Sequence, residues 1–389
     1  MKEFLEKNYQ FRVNTLRERT EWRRGALEEW RELDDLGLNT VYFELLDAGI
    51  HVGIKDVERY LYSEFVPAYH PFRDYLSSLP AWDGKDRVTA LARRVSRDEL
   101  WTSVFHRWMR ALTAQWMGRQ MQTANAMVPV LVSQRQGLGK STFWRMLMPA
   151  ELTAYYLDKL DFTATGEYDR MMAQCGLINL DELDAFTDRA MAKFKAATQM
   201  KTITGHSAYK ARITLSPRLA SFCATTNKVG VLHDATGSRR FFCVDVKQKI
   251  NCSTPINHAQ IFAQLKAELD AGEPTWFTKR EEQRIERNNA RFYRLTPLQK
   301  ALLTHYRAPE DAPQFSAADT LSSADEVQKL TTAEIFRTFA RRHPSLVVGM
   351  RLAEFGKQLT RLFPVVKRKG HGNLYSVVPL DANFITKAS

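Results

Sequence analysis

The chain has 389 residues, 44% of them hydrophobic and 26% charged, with a formal net charge of +12. That length leaves room for two or three domains with an ample core, and no apolar run exceeds strand size, so no membrane span is expected. The basic excess favours a polyanionic partner, most simply nucleic acid.

The N-terminus carries charges through its first turn and is expected to be no signal peptide. Residues 1–121 are expected to form a helical N-terminal domain. To about residue 65 the chain is charged and helical in character, with Leu16–Arg24 running into Glu28–Asp35. Trp22 and Trp30, eight apart, would then share one helical face, most simply a core or a subunit interface. A turn-rich stretch with Pro71, Pro80 and Asp83-Gly84 follows. A long helix is expected from Val88 to about Met121, with Trp101, Phe105, Trp108, Leu112 and Trp116 packing against the next domain.

Residues 122–250 read as an α/β nucleotide-binding core. The apolar run Met127–Val132 leads into Gln134-Arg-Gln-Gly-Leu-Gly-Lys-Ser141 and then a helix-forming stretch. Strand, glycine turn, lysine, hydroxyl and helix is the layout of a phosphate-binding P-loop. Gly137 and Gly139 allow the backbone N–H groups of Gln136 to Thr142, Leu138 included, to curl around phosphate oxygens. Lys140 would reach the β- and γ-phosphates of ATP, and Ser141 would place its hydroxyl on Mg²⁺. The first glycine of the usual G-x-x-x-x-G-K-[ST] pattern is Gln134 here, so the loop is expected to open differently.

Further along, the short apolar run Cys175–Leu180 ends in Asp181-Glu182. Asp181 fits the Mg²⁺ role and Glu182 the role of base toward the attacking water. A third run, Leu219–Thr226, ends at Asn227, whose amide could position that water as a sensor. Arg239 and Arg240 precede the strand-like Phe241–Val246, and one of them could reach a γ-phosphate on a neighbouring subunit. The bland readings are a solvated acidic turn for the carboxylates and, for the arginine pair, a solvated turn or a phosphate-backbone contact in a nucleic-acid binder. Four such signals in this order outweigh them.

Taken with these motifs, Tyr69-His-Pro-Phe-Arg-Asp-Tyr-Leu76, Trp82-Asp-Gly-Lys-Asp-Arg87 and Thr236-Gly-Ser-Arg-Arg-Phe241 carry a resemblance. The chain resembles the virulence-associated protein E family of phages, satellites and other mobile elements. That family is related to the superfamily-3 helicases and to the helicase halves of poxviral primase-helicases. The resemblance implies an AAA+-type motor that hydrolyses ATP between subunits of a ring, expected to be a hexamer. In superfamily-3 helicases the segment matching Lys201–Thr214 forms a hairpin that grips single-stranded DNA. Here it offers Lys201, His206, Tyr209, Lys210 and Arg212.

A helical bridge or lid is expected over 251–307 and a linker over 308–328, rich in Ala, Ser, Asp and Pro. Residues 329–389 read as a winged helix. Thr331 would cap a first helix with Glu334 three residues on, and a second helix would cover Arg351 to Leu362. Two short strands around Lys369-Gly-His371-Gly372 would form a basic wing for duplex origin DNA, the alternative being a plain protein-docking module. Cys175, Cys223 and Cys243 fall in expected core strands and no Cys-x-x-Cys pair occurs, which points to a cytoplasmic protein.

The expected function is therefore an ATP-dependent DNA helicase or translocase of a mobile element. No segment resembles a primase, so any priming belongs to a separate chain. An ATP- and DNA-binding initiator or assembly platform without unwinding fits the same residues. A small-molecule kinase would leave Asn227, the arginine pair and the basic hairpin without a purpose.

Overall fold

The computed structural model describes residues 1–119, 123–162, 167–206, 213–232, 240–309, 327–369 and 372–380. The first stretch comprises α1 (Lys2–Asn8), β1 (Gln10–Asn14), β2 (Arg19–Arg23), β3 (Arg31–Glu32), α2 (Asp35–Asp47), α3 (Ile54–Leu61) and β4 (Ala68–Tyr69). Its strands form one sheet in the order β3-β2-β1-β4. The helical expectation is corrected here. Thr20 and Trp22 are buried while Arg19 is exposed and Glu21 and Arg23 are only partly covered, a period of two. Cross-strand pairing sets Trp22 against Phe11 and Thr20 against Val13. Abundant Arg and Glu on the outer face masked that alternation. Trp22 and Trp30 share no helix; the Trp30 ring instead receives the guanidinium groups of Arg12 and Arg23 at 4.2 and 4.5 Å.

Next come α4 (Pro71–Ser77), α5 (Arg87–Ala92) and α6 (Glu99–Trp116). The single long helix expected over this stretch is broken after Ala92. Asp98 caps a fresh helix by accepting from the Trp101 N–H at 3.0 Å.

The central layer is built from β5 (Val128–Val132), α7 (Lys140–Arg145), β6 (Tyr156–Leu157), α8 (Glu167–Gln174), β7 (Leu177–Leu180) and α9 (Asp188–Ala197), followed by β8 (Thr202–His206), β9 (Ile213–Pro217), β10 (Ser221–Thr226) and β11 (Phe241–Asp245). Five of the strands make a parallel sheet in the order β11-β5-β10-β7-β6. Both faces are buried, as the unbroken apolar runs predict. Val128, Val130 and Val132 face one core with Ile178, Leu180 and Phe222. Leu131 faces the other with Phe242 and the aromatics of α6. Trp101 stacks on Phe242 at 6.0 Å, Trp108 meets Trp144 edge-on at 5.7 Å, and Phe105 lies 6.0 Å from Phe143. The α6 aromatics are thus packing residues, as their spacing implies.

Gly176, just before β7, is where this packing is tightest. A Cβ there would lie 2.4 Å from two Phe72 ring carbons and 2.9 Å from the Trp116 indole nitrogen. Gly176→Ala is expected to cost about 1–3 kcal/mol through overpacking, read as a lowered urea midpoint. An unchanged midpoint would mean that Phe72 can withdraw.

Beyond the sheet lie α10 (His258–Asp270), α11 (Lys279–Asn289), α12 (Pro297–Leu303), β12 (Tyr306–Arg307), β13 (Gln328–Thr331), α13 (Thr332–Arg342), α14 (Pro344–Val347), α15 (Leu352–Leu362), β14 (Val365–Lys369) and β15 (Gly372–Pro379). The bridge expected over 251–307 divides in two. Helix α11 covers the edge of β11: the Asn288 amide donates to the Cys243 carbonyl at 2.8 Å, and Asn289 accepts from the Cys243 N–H at 3.1 Å. Leu298 and Leu302 of α12 join a separate C-terminal core with Ile335, Phe339, Phe355, Tyr375 and Val377. In that unit β15 pairs antiparallel with β12, β13 and β14. Thr331 and Glu334 form the expected capping box at the start of α13. Most of the expected linker, 310–326, lies outside the described residues. Among the described residues no helix is long and apolar enough to cross a membrane.

Candidate functional site

In a parallel α/β sheet, ligands bind beyond the carboxyl ends of the strands. Three neighbouring strands, β5, β10 and β7, end here in the residues of interest. Pairing of Thr226 with Val132 sets Asn227 beside the loop that leaves β5. Pairing of Ala224 with Leu180 sets Thr225 beside Asp181.

The loop after β5 turns without its first glycine. The Ser133 hydroxyl accepts from the Arg135 N–H at 3.1 Å, while the Ser133 N–H donates to the Thr226 carbonyl at 3.2 Å. Gln134 is exposed and does not take a positive φ; among the described non-glycine residues only Glu18 and Glu182 do. A side chain is therefore tolerated at 134. The left-handed turns come at Gly137 (φ 72°) and Gly139 (φ 84°). Behind the loop, the Ile250 N–H donates to the Leu138 carbonyl at 2.9 Å. Helix α7 starts at Lys140, two residues earlier than expected, with Ser141 and Thr142 in its first turn.

Lys140 is 8% exposed. Its ammonium donates to the Asn227 amide oxygen at 2.8 Å and to the Arg135 carbonyl at 3.3 Å, which leaves a third N–H for a ligand. Burial pushes its pKa down, and the negative charge of Asp181 partly restores it. The Ser141 hydroxyl donates to an Asp181 carboxylate oxygen at 3.0 Å, and the Thr225 hydroxyl donates to the same oxygen. Hydroxyl and carboxylate side by side are the hard oxygen donors that suit Mg²⁺.

Glu182 follows with φ 56° and ψ 49°, a left-handed conformation that a non-glycine residue adopts at a cost. Its side chain is exposed. Asp184, by contrast, is engaged: it accepts from the Thr226 hydroxyl at 2.6 Å and pairs with Lys228 at 2.8 Å. Burial raises the Asp184 pKa, but the bonds from Lys228 and Thr226 outweigh it and hold the carboxyl below its usual range. Sequence alone does not single out Ser133, Thr225, Thr226 and Lys228, and it offers Asp184 only as part of an acidic turn. The two threonines read simply as strand formers, and only the register of β10 shows what their hydroxyls meet.

Arg240 stands apart from this cluster. It precedes β11, whose Phe241 pairs with Val128 at the start of β5, so a five-residue strand separates it from the glycine loop, roughly 17 Å. It lines a cavity of about 410 Å³ with Lys201, Asn125, Gln199 and Trp276. Arg240 therefore cannot join Lys140 within one copy. Lys201 lies at the root of the antiparallel pair β8–β9, and His206 ends β8. Lys369 ends β14. Arg239, Tyr209, Lys210, Arg212 and His371 lie outside the described residues.

The motifs before the sheet prove structural. Tyr69 ends β4, and its ring lies 3.5 Å from the Arg12 guanidinium. His70 caps α4 through its ring nitrogen, Pro71 opens that helix, and Phe72 and Leu76 are buried. Asp83 takes a two-pronged bond from Arg87, and the Trp82 indole donates to the Lys85 carbonyl at 3.0 Å. The Asp83 N–H donates to Gln260 at 3.0 Å, and Asp86 accepts from Gln264 at 2.9 Å, clasping α10.

Residues 76–294 match the virulence-associated protein E-like domain, a span of more than half the chain that holds the whole cleft. The chain belongs to this family. The family's span includes the Trp82–Arg87 clasp and leaves out the N-terminal sheet and the C-terminal unit. Among solved structures, the chain is similar to the NrS-1 C-terminal region in its A form apo structure, at 14% identity and TM-score 0.45, covering 77% of this chain and 76% of that one. It is also similar to another apo structure of the NrS-1 C-terminal region, at 12% identity and TM-score 0.49, covering 97% and 98%. No curated protein matches by sequence.

Proposed function

We propose that this chain is a P-loop, AAA+-like ATPase of the superfamily-3 type that moves single-stranded DNA during replication of a phage or mobile element. The observation that carries the reading is the convergence of Lys140, Ser141, Asp181, Glu182 and Asn227 at the ends of three adjacent parallel strands. In that cleft Lys140 and the loop N–H groups hold the phosphates of ATP. Ser141 and Asp181 would hold Mg²⁺, which when bound supplies charge neutralisation at the β- and γ-phosphates.

Asn227 orients the attacking water and Glu182 takes its proton as the water oxygen bonds to the γ-phosphorus. The bond to the β-phosphate oxygen then breaks, leaving ADP and phosphate. Arg240 sits across the sheet from its own cleft, which supports a role for it or Arg239 toward the cleft of a neighbouring copy in a ring, most simply a hexamer. The β8–β9 hairpin supports a DNA grip, with Lys201, His206, Tyr209, Lys210 and Arg212 on the strand. The helices α13 and α15 followed by the β14–β15 hairpin support a winged helix, with Lys369 and His371 toward duplex DNA. A chain of this kind works in the cytoplasm beside a separate primase.

The test is phosphate release from ATP with and without single-stranded DNA, followed by strand displacement on a forked duplex. Hydrolysis stimulated by DNA is expected, with displacement. Hydrolysis that DNA leaves unchanged would overturn the translocase reading.

A further inference from the structure

Arg218 joins β9 to β10 and is 3% exposed. No carboxylate lies against it among the described residues; its guanidinium is held almost entirely by carbonyl oxygens. Its Nε donates to the Met200 carbonyl at 2.8 Å, and Nη1 to the Ala220 carbonyl at 3.0 Å. Nη2 donates to the carbonyls of Thr198 and Asn125, each at 3.1 Å, and approaches the Gln115 amide oxygen at 3.4 Å. The Arg218 N–H closes the hairpin root on the Lys201 carbonyl at 2.9 Å. Gln115 completes the knot by donating to the Ala220 carbonyl at 3.0 Å and accepting from the Asn125 N–H at 2.9 Å.

A buried cation without a counter-charge is costly, and apolar packing would serve plain stability better. What the rigid five-donor fork adds is direction. It bonds the hairpin root (Thr198, Met200) to the start of β5 (Asn125) and to the start of β10 (Ala220). Those two strands then run straight to the cleft, where β5 carries the glycine loop and β10 carries Asn227.

We infer that Arg218 is the positioning residue that couples the β8–β9 hairpin to the nucleotide cleft. The inference rests on the proposed ATPase reading. A shift of β5 against β10 at the cleft tilts the carbonyls at their far ends, and the guanidinium passes that tilt to the hairpin. By reciprocity, DNA held on the hairpin biases the cleft.

The experiment compares the parent, Arg218→Lys and Gln115→Leu for ATP hydrolysis with and without single-stranded DNA, each first checked for folding by urea titration. Arg218→Lys keeps the charge and loses the fork. It is expected to retain DNA-free hydrolysis within about twofold and to lose DNA stimulation by about tenfold, within the usual range of coupling between sites. Gln115→Leu leaves Arg218 its carbonyls and is expected to lose stimulation in part; it decides the matter if Arg218→Lys does not fold. Stimulation equal to the parent's in a folded variant overturns the inference, as does an equal fall of basal and stimulated rates. A parent that does not hydrolyse ATP at all overturns the ATPase reading instead, and the two failures are thus distinct.

Discussion

Replacing Lys140 with alanine is expected to lower ATP hydrolysis by at least about 10²–10³-fold, the usual loss when one preorganised charge is removed from a site of developing negative charge. The geometry explains the size of the effect. Lys140 is 8% exposed and reaches the mouth of the loop between the Arg135 carbonyl and Asn227. Lys228, another described cation at the strand ends, is tied to Asp184. Stability should move the other way or not at all, because burial already disfavours this ammonium and pushes its pKa down. The measurement is phosphate release paired with thermal unfolding. A dead variant with an unchanged or raised melting temperature marks a functional charge, whereas a dead variant that melts much earlier would mark a structural one.

Glu182→Gln should separate binding from turnover. General-base assistance is worth about 10²–10⁴-fold, so hydrolysis is expected to fall by that range while a fluorescent ATP analogue binds as before. Two observations favour Glu182 over the nearby Asp184. Glu182 is exposed and held at φ 56°, a conformation that aims an ordinary side chain at a cost. Asp184 already accepts from Thr226 and pairs with Lys228, so its oxygens are committed. Asp184→Asn is accordingly expected to lower the rate less than Glu182→Gln does. The reverse order would move the base to Asp184.

Much of this cleft was legible before the fold was known, because its signals are local. An apolar run before Gly-Leu-Gly-Lys-Ser, another before Asp181-Glu182 and a third before Asn227 each mark a strand end carrying a polar group. The capping box at Thr331 and Glu334 needs only four residues to be read, and α13 begins there. The N-terminal sheet escaped because its alternating residues are interleaved with Arg and Glu at helix-like density. Its true period is visible only once Phe11 is set opposite Trp22. The break between α5 and α6 escaped because no proline or glycine interrupts the chain from Val88 to Trp116.

The sequence by itself determined where the glycine loop, its lysine, the acidic pair and the terminal amide stand along the chain, since each depends on a few consecutive residues. Strand order was decided only in three dimensions. Placing β10 between β5 and β7 brings Asn227 to Lys140 and turns Thr225 into a partner of Asp181. Because β11 runs parallel to β5, Arg240 falls at the far end of the sheet, and Arg218 is sealed at the hairpin root. Such placements depend on pairings between segments tens of residues apart, and local chemistry does not specify them.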